Sequence, residues 1–153
     1  LCVAACGYST SSHTAKDIKS VAVPFFSNLT TEPNLEISVT EMIIDNLVSD
    51  NTLKVMNEDN ADAILEGDIV TFTNTPFSFN QDLNAEEYRV VLIVKVKLYN
   101  RRLNEAIWQD QRITGDGAYF VDASESGLTY EDALEEAIKE ITEQILNLTV
   151  QDW

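Results

Sequence analysis

The chain has 153 residues, 44% apolar and 24% charged, the composition of one folded domain with a sizeable core rather than a disordered chain. Its 26 Asp and Glu against 10 Lys and Arg give a formal net charge of −16, which argues against nucleic acid as a partner and against docking on anionic membranes through a basic patch. Both cysteines fall within the first six residues and no apolar run reaches bilayer length, so the body carries no disulfide or thiol chemistry and no span.

At the start, Val3-Ala4-Ala5-Cys6-Gly7 has the form of a bacterial lipobox: an aliphatic residue, two small residues that fit a peptidase groove, then a cysteine. A thiol is what a thioether-linked diacylglycerol requires, so Cys6 is the expected lipidation site. Acyl chains contribute about 0.8 kcal/mol per buried CH₂, and more than one chain is needed for stable anchoring. The bland alternative is a pair of ordinary thiols, or a local disulfide, at Cys2 and Cys6. On the lipobox reading, residues 1–5 are the remainder of a signal peptide. Residues 6–17 are the lipidated cysteine and a flexible tether, 18–150 a single α+β domain and 151–153 a tail. The small, polar run Gly7–Asp17 reaches at most about 35–40 Å when extended. Its His13 reads as a solvated side chain.

Ser20–Phe26 is a β-rich run in which Pro24 marks a sheet edge or ends the regular pairing. After the turn-rich Asn28–Asn34, apolar Leu35, Val39, Met42, Ile43 and Leu47 predict a helix over 35–49, ended by Asp50-Asn51. A short strand is expected at 53–57 and a longer one at 63–73, with Gly67 admitting a helix closely or marking a bulge. Residues 74–85 read as a long excursion holding Pro76, Phe77 and Phe79; such aromatics either contact a partner or tuck back over the core. The clearest strand is 87–100. Tyr88, Val90, Leu92, Val94, Val96 and Leu98 form one apolar face, and Arg89, Val91, Ile93, Lys95, Lys97 and Tyr99 the other. A hairpin loop at 100–105 returns through 106–114 with Trp108 as its anchor, and Gly115 and Gly117 read as a kink before 118–121. Thr129-Tyr-Glu-Asp132 has the capping-box form and opens an amphipathic helix carrying Leu134, Ala137, Ile138, Ile141 and Ile145 on one stripe. The expected fold is a two-layer α+β sandwich, with two helices on one face of a mixed, mainly antiparallel sheet of four to five strands.

The chemistry of catalysis is missing from this pattern. One tether histidine and no body cysteine exclude Cys/His and Ser/His/Asp arrangements, and the many carboxylates read as solvated helix faces rather than acid–base pairs. Asp59, Asp62, Glu66 and Asp68 lack the glycine and closing glutamate of a calcium loop, so no metal and no cofactor is expected. One cluster stands out: Arg89, Lys95, Lys97, Arg101 and Arg102 hold half of the ten basic residues within fourteen positions. Either Lys95 and Lys97 pair across the sheet with Glu66 and Asp68 and do nothing else, or the basic strand and hairpin tip face an anionic ligand or partner. Phe77 and Phe79 join the candidate contacts.

The chain resembles the LptE family of outer-membrane lipopolysaccharide-assembly lipoproteins from Cys6-Gly-Tyr8 onward. The resemblance is carried by Ile18-Lys-Ser-Val-Ala-Val-Pro-Phe-Phe26, Asn28-Leu-Thr-Thr-Glu-Pro33, Asn60-Ala-Asp-Ala-Ile-Leu-Glu-Gly67, Glu87-Tyr-Arg-Val90 and Ala106-Ile-Trp108, in that order. It implies a two-helix, four-stranded fold that plugs and helps assemble a large β-barrel, LptD, and contacts lipopolysaccharide during export. It also implies an outer-membrane address, which Gly7 after the cysteine fits. Family members bind lipopolysaccharide through basic residues, whereas this chain is acidic overall; the matching candidates are Lys95, Lys97, Arg101 and Arg102. Ser20–Phe26 and the Asn-Leu-Thr turn also resemble lipoprotein activators of cell-wall synthases and the curli-secretion lipoprotein, the rival reading of a periplasmic regulator that binds a protein. The segments at 60–67 and Trp108 favour the first. A stand-alone lipid-binding module is a third reading and would need a ligand-sized cavity.

Overall fold

The computed structural model describes residues 18–122 and 127–151. The expected signal remainder, Cys6, the tether and residues 152–153 of the tail lie outside them.

Apolar spacing yields the expected elements. Strand β1 (Ser20–Ala22) is wholly buried, and Pro24 ends its pairing before β2 (Ser27–Asn28) resumes. Helix α1 (Leu35–Asp50) buries Leu35, Val39, Thr40, Ile43 and Leu47. Asn34 and Asn51 bracket it in the left-handed region (φ 61° each), a conformation asparagine tolerates, and the Asn51 N–H donates to the Leu47 carbonyl at 3.1 Å. Thr40 closes a buried contact by accepting the Phe26 N–H at 3.0 Å. Strand β3 (Lys54–Val55) follows, then three long strands, β4 (Ala63–Phe79), β5 (Ala85–Asn100) and β6 (Glu105–Phe120). Helix α2 (Tyr130–Gln151) closes the domain. Its capping box forms: the Asp132 carboxylate accepts the Thr129 N–H at 2.7 Å and the Thr129 hydroxyl accepts the Asp132 N–H at 3.3 Å. The Thr129 N–H, and after it the Thr129 hydroxyl donating to the same carboxylate at 2.8 Å, hold the Asp132 carboxyl below its usual pKa.

The sheet runs β3-β1-β4-β5-β6, with β2 also on β4. β1 pairs in parallel with β3 and β4, reached by the α1 crossover, while β4, β5 and β6 form an antiparallel meander. This is the two-layer α+β sandwich, with six strands when the two-residue β2 and β3 are counted. Both helices cover one face. Between the layers, Val90, Leu92, Val94, Val96 and Leu98 of β5 meet Ile138, Ile141 and Ile145 of α2 and Val39, Ile43 and Leu47 of α1 in one core.

Three expectations change. The 74–85 excursion is mostly strand: β4 continues to Phe79, with Pro76 opposite Tyr88, leaving only 80–84 as a loop. Pro76 is tolerated because its side of β4 facing away from β5 has no neighbouring strand there among the described residues. A bulge between Ile69 and Thr71 also shifts the alternation, so Phe72 lies opposite Leu92 on the core side. Gly67 admits an aromatic ring instead of a helix: a Cβ there would sit 2.3 Å from the Phe26 ring. Gly115 and Gly117 make no kink. They lie in continuous β6, where α2 presses so closely that Cβ atoms would come within 1.9 Å of the Ala137 carbonyl and 2.1 Å of the Ala133 carbonyl.

Candidate functional site

With the helices on one face, β5 presents Arg89, Lys95 and Lys97 on the other. The alternation of the strand dictates this, because the core takes every even-numbered residue from Val90 to Leu98. Each cation meets a carboxylate. Lys97 lies directly opposite Glu66 and bonds it at 2.6 Å, which holds the ammonium above its usual pKa. Lys95 lies opposite Asp68 in the register, yet its ion pair goes the other way, to Asp110 of β6 at 3.5 Å. The expected Lys95–Asp68 pair is thus replaced. The cause is a bulge: Lys97 faces two residues of β6, Gln109 and Asp110, and the extra Asp110 adopts φ 55°. Nothing local in the sequence announces Asp110 as a partner.

A groove of about 440 Å³ opens here, walled by Pro24, Phe25 and Ser27 on one side and by the charged side chains of β4, β5 and β6 on the other. Glu66, Asp68 and Asp110 outnumber Lys95 and Lys97, so the groove is electronegative by one charge with every group ionised. Both lysines are about half exposed, so their pairs are solvent-screened and exchangeable.

The other basic residues stand elsewhere. Arg101 and Arg102 occupy the β5–β6 turn and clasp the segment before β4. Arg101 bonds the carbonyls of Ala61 (3.1 Å) and Asp59, and its backbone N–H donates to the Asp62 carbonyl. Arg102 reaches the Asp62 carboxylate at 2.6 Å. The second oxygen of Asp62 accepts the Ser20 hydroxyl (2.8 Å) and the N–H groups of Ser20 and Lys19. The Ser20 hydroxyl is the main reason the Asp62 carboxyl is held below its usual pKa, with the Lys19 N–H and the Arg102 charge adding to it against partial burial. Asp62, which the sequence offers as a turn residue and not as a metal ligand, thus pins the first strand to the hairpin turn.

At the far end, Arg89 lies 3.5 Å from Asp116 and 4.1 Å above the Phe77 ring, a cation–π stack. Phe77 and Phe79 do not tuck over the core; they are 54% and 56% exposed, beside Leu83 in the β4–β5 loop. Arg89 and Arg101 are twelve residues apart in sequence, about 40 Å of extended chain, so the candidate residues form three stations along β5 and the turn after it rather than one patch. Among the described residues, no group of three or more His, Cys, Asp and Glu is placed to hold a metal.

A sequence profile of the LptE lipopolysaccharide-assembly family matches residues 18–149. The chain belongs to the LptE family. No curated protein sequence matches it, but solved structures repeat its fold. A dodecameric PelC variant from Paraburkholderia phytofirmans is 16% identical, with 86% of this chain and 88% of that one covered, at a TM-score of 0.56. Lipoprotein B from Nitrosomonas europaea is 17% identical over 88% and 86%, with a TM-score of 0.54. A minor lipoprotein from Acinetobacter baumannii is 14% identical over 88% and 92%, with a TM-score of 0.51. As an LptE-family member the chain belongs to a lipopolysaccharide-assembly family. No described helix is long and apolar enough to cross a membrane.

Proposed function

We propose that this LptE-family chain is anchored to the outer membrane through acyl chains on Cys6. There it plugs and assists assembly of an LptD-like export barrel, helping to deliver lipopolysaccharide to the cell surface. It does so by binding and not by catalysis. The family match across 18–149 carries the reading. The open sheet face supports it, since both helices lie on the other side and leave that face for a lumen wall or a ligand.

Of the basic residues, Lys95 and Lys97 are the ones offered to a phosphate-bearing lipid. Their partners are exposed carboxylates that a phosphate can replace, with Phe25 beside them for an acyl chain. Arg101 and Arg102 are committed to the clasp and act by holding the hairpin turn in shape. Phe77 and Phe79 serve as apolar contacts with the barrel wall.

A photo-crosslinker at Leu103, in the turn beside Arg101 and 56% exposed, is expected to capture the barrel subunit in outer membranes. Capture of a murein synthase instead overturns the proposal in favour of the regulatory reading.

A further inference from the structure

The groove beside β5 holds one more carboxylate than its lysines use. Glu66 takes Lys97 and Asp110 takes Lys95. Asp68, directly opposite Lys95 across β4 and β5, is left without an ion pair among the described residues. It is not hidden, for it is partly exposed and lines the same opening of about 440 Å³ as the two lysines. A spare anion beside an exchangeable cation makes a dipolar site, and that pattern of signs restricts what fits it.

A ligand that carries phosphate alone meets half of the pattern. To reach Lys95 it must displace Asp110 and then rest beside Asp68, with no cation of its own to offset that carboxylate. It must also approach a chain of net charge −16. An amine alone satisfies Asp68 and is repelled by Lys95. A ligand with both charges satisfies both and is neutral overall, so the field of the chain does not oppose it. Neighbouring strands lie about 4.8 Å apart, which sets the Asp68 and Lys95 side chains within reach of a phosphate and an amine joined by two carbons. A primary amine suits the site because its N–H groups form charge-assisted hydrogen bonds to a carboxylate. At the rim Phe25 is 67% exposed, an apolar surface for a chain attached to the phosphate.

We propose that the groove selects a lipid with a phosphoethanolamine headgroup, its phosphate on Lys95 and the neighbouring Lys97, its ammonium on Asp68 and an acyl chain along Phe25. This rests on the reading of Lys95 and Lys97 as the pair that faces a lipid phosphate. It adds Asp68 as the residue that sets specificity.

The test titrates the purified full chain, carrying Cys2→Ser and Cys6→Ser, with monomeric dihexanoyl phosphatidylethanolamine and with dihexanoyl phosphatidylglycerol, which has the phosphate and lacks the amine. Calorimetry should show the first bound about tenfold more tightly, the worth of one hydrogen-bonded charge pair. Asp68→Asn should weaken the first and strengthen the second, because it removes an anion from beside the phosphate. Lys95→Gln should weaken both. Phe25→Ser should weaken the aminolipid severalfold, and free phosphoethanolamine should bind more weakly than the lipid. Equal affinity for the two lipids overturns the proposal, and so does an Asp68→Asn effect of the same sign on both, or binding of neither. Free phosphoethanolamine bound as tightly as the lipid overturns it as well. If lipopolysaccharide binding still falls in Lys95→Gln in any of those cases, the lysines remain a phosphate site and only the selectivity is lost. Capture of a murein synthase at Leu103 with the selectivity intact removes the barrel role alone.

Discussion

The two faces of β5 solve opposite problems with alternate residues of one strand. Val90, Leu92 and Val94 are completely buried under the helices, and Val96 and Leu98 nearly so. Arg89, Lys95 and Lys97 stand two residues apart from their neighbours on the far side or further, each meeting a carboxylate supplied by a different strand position and each in contact with water. Stability is concentrated on the first face, because burial removes apolar area from water and no solvent competes for it. The second face holds pairs that solvent and ions loosen, so its charges can change partners without unfolding the sheet. A binding protein needs that division: a face that does not move and a face that is free to exchange contacts.

Substitutions sharpen the contrast. Leu92→Ala removes a fully buried side chain from the middle of the core and should cost about 3–4 kcal/mol in urea unfolding. Gly115→Ala drives a methyl into the Ala137 carbonyl of α2 and should cost about 3 kcal/mol by the same measurement. A loss below 1 kcal/mol, on the order of a surface substitution, breaks the assignment of that glycine to helix approach.

Asp62 falls between the faces, its side chain 15% exposed and fully bonded. Asp62→Asn should cost about 2 kcal/mol at neutral pH. Because its folded pKa is lowered, the stabilisation is present above the ordinary carboxylate value and is lost as pH falls from there through the lowered one. The wild type should therefore show an acid limb in its stability profile that Asp62→Asn lacks. The smallest effect on folding belongs to Lys95→Gln with Lys97→Gln, which ends two solvent-screened pairs without setting like charges opposite each other; its melting temperature should stay close to the wild type while lipopolysaccharide binding by the purified chain falls. Unchanged binding leaves the two lysines as sheet ion pairs alone.

What the sequence made legible follows the range of each interaction. The split of β5 into two faces, the α1 stripe ending at Asn51 and the Thr129–Asp132 cap are local patterns, and each is found where its spacing places it. The misread segments depend on distant partners. Asn, Thr and Pro between 74 and 79 look like a loop until β5 supplies a strand to pair with. Gly115 and Gly117 look like a hinge until α2, many residues later, arrives to fill their missing side chains. The candidate lysines were legible as a basic face, but the neutralising Asp110 comes from a bulge whose position depends on the β5–β6 register. The Asp62 clasp joins Ser20, Asp62 and Arg102, three residues that no sequence window holds together.

The position of β1 has a further consequence, for the order in which the sheet is built. β1 lies between β3 and β4, so its partners are Lys54, Val55, Ala63 and Ile64, more than thirty residues downstream. The meander of β4, β5 and β6 needs only short loops, and such local pairings form early, whereas long loop closures come late. A chain emerging from its N-terminus first therefore exposes β1 long before a slot exists for it. Its insertion, sealed when Asp62 takes the Ser20 hydroxyl, is therefore expected to be the closing step of folding, and Val21→Ala should speed unfolding while leaving the refolding rate unchanged.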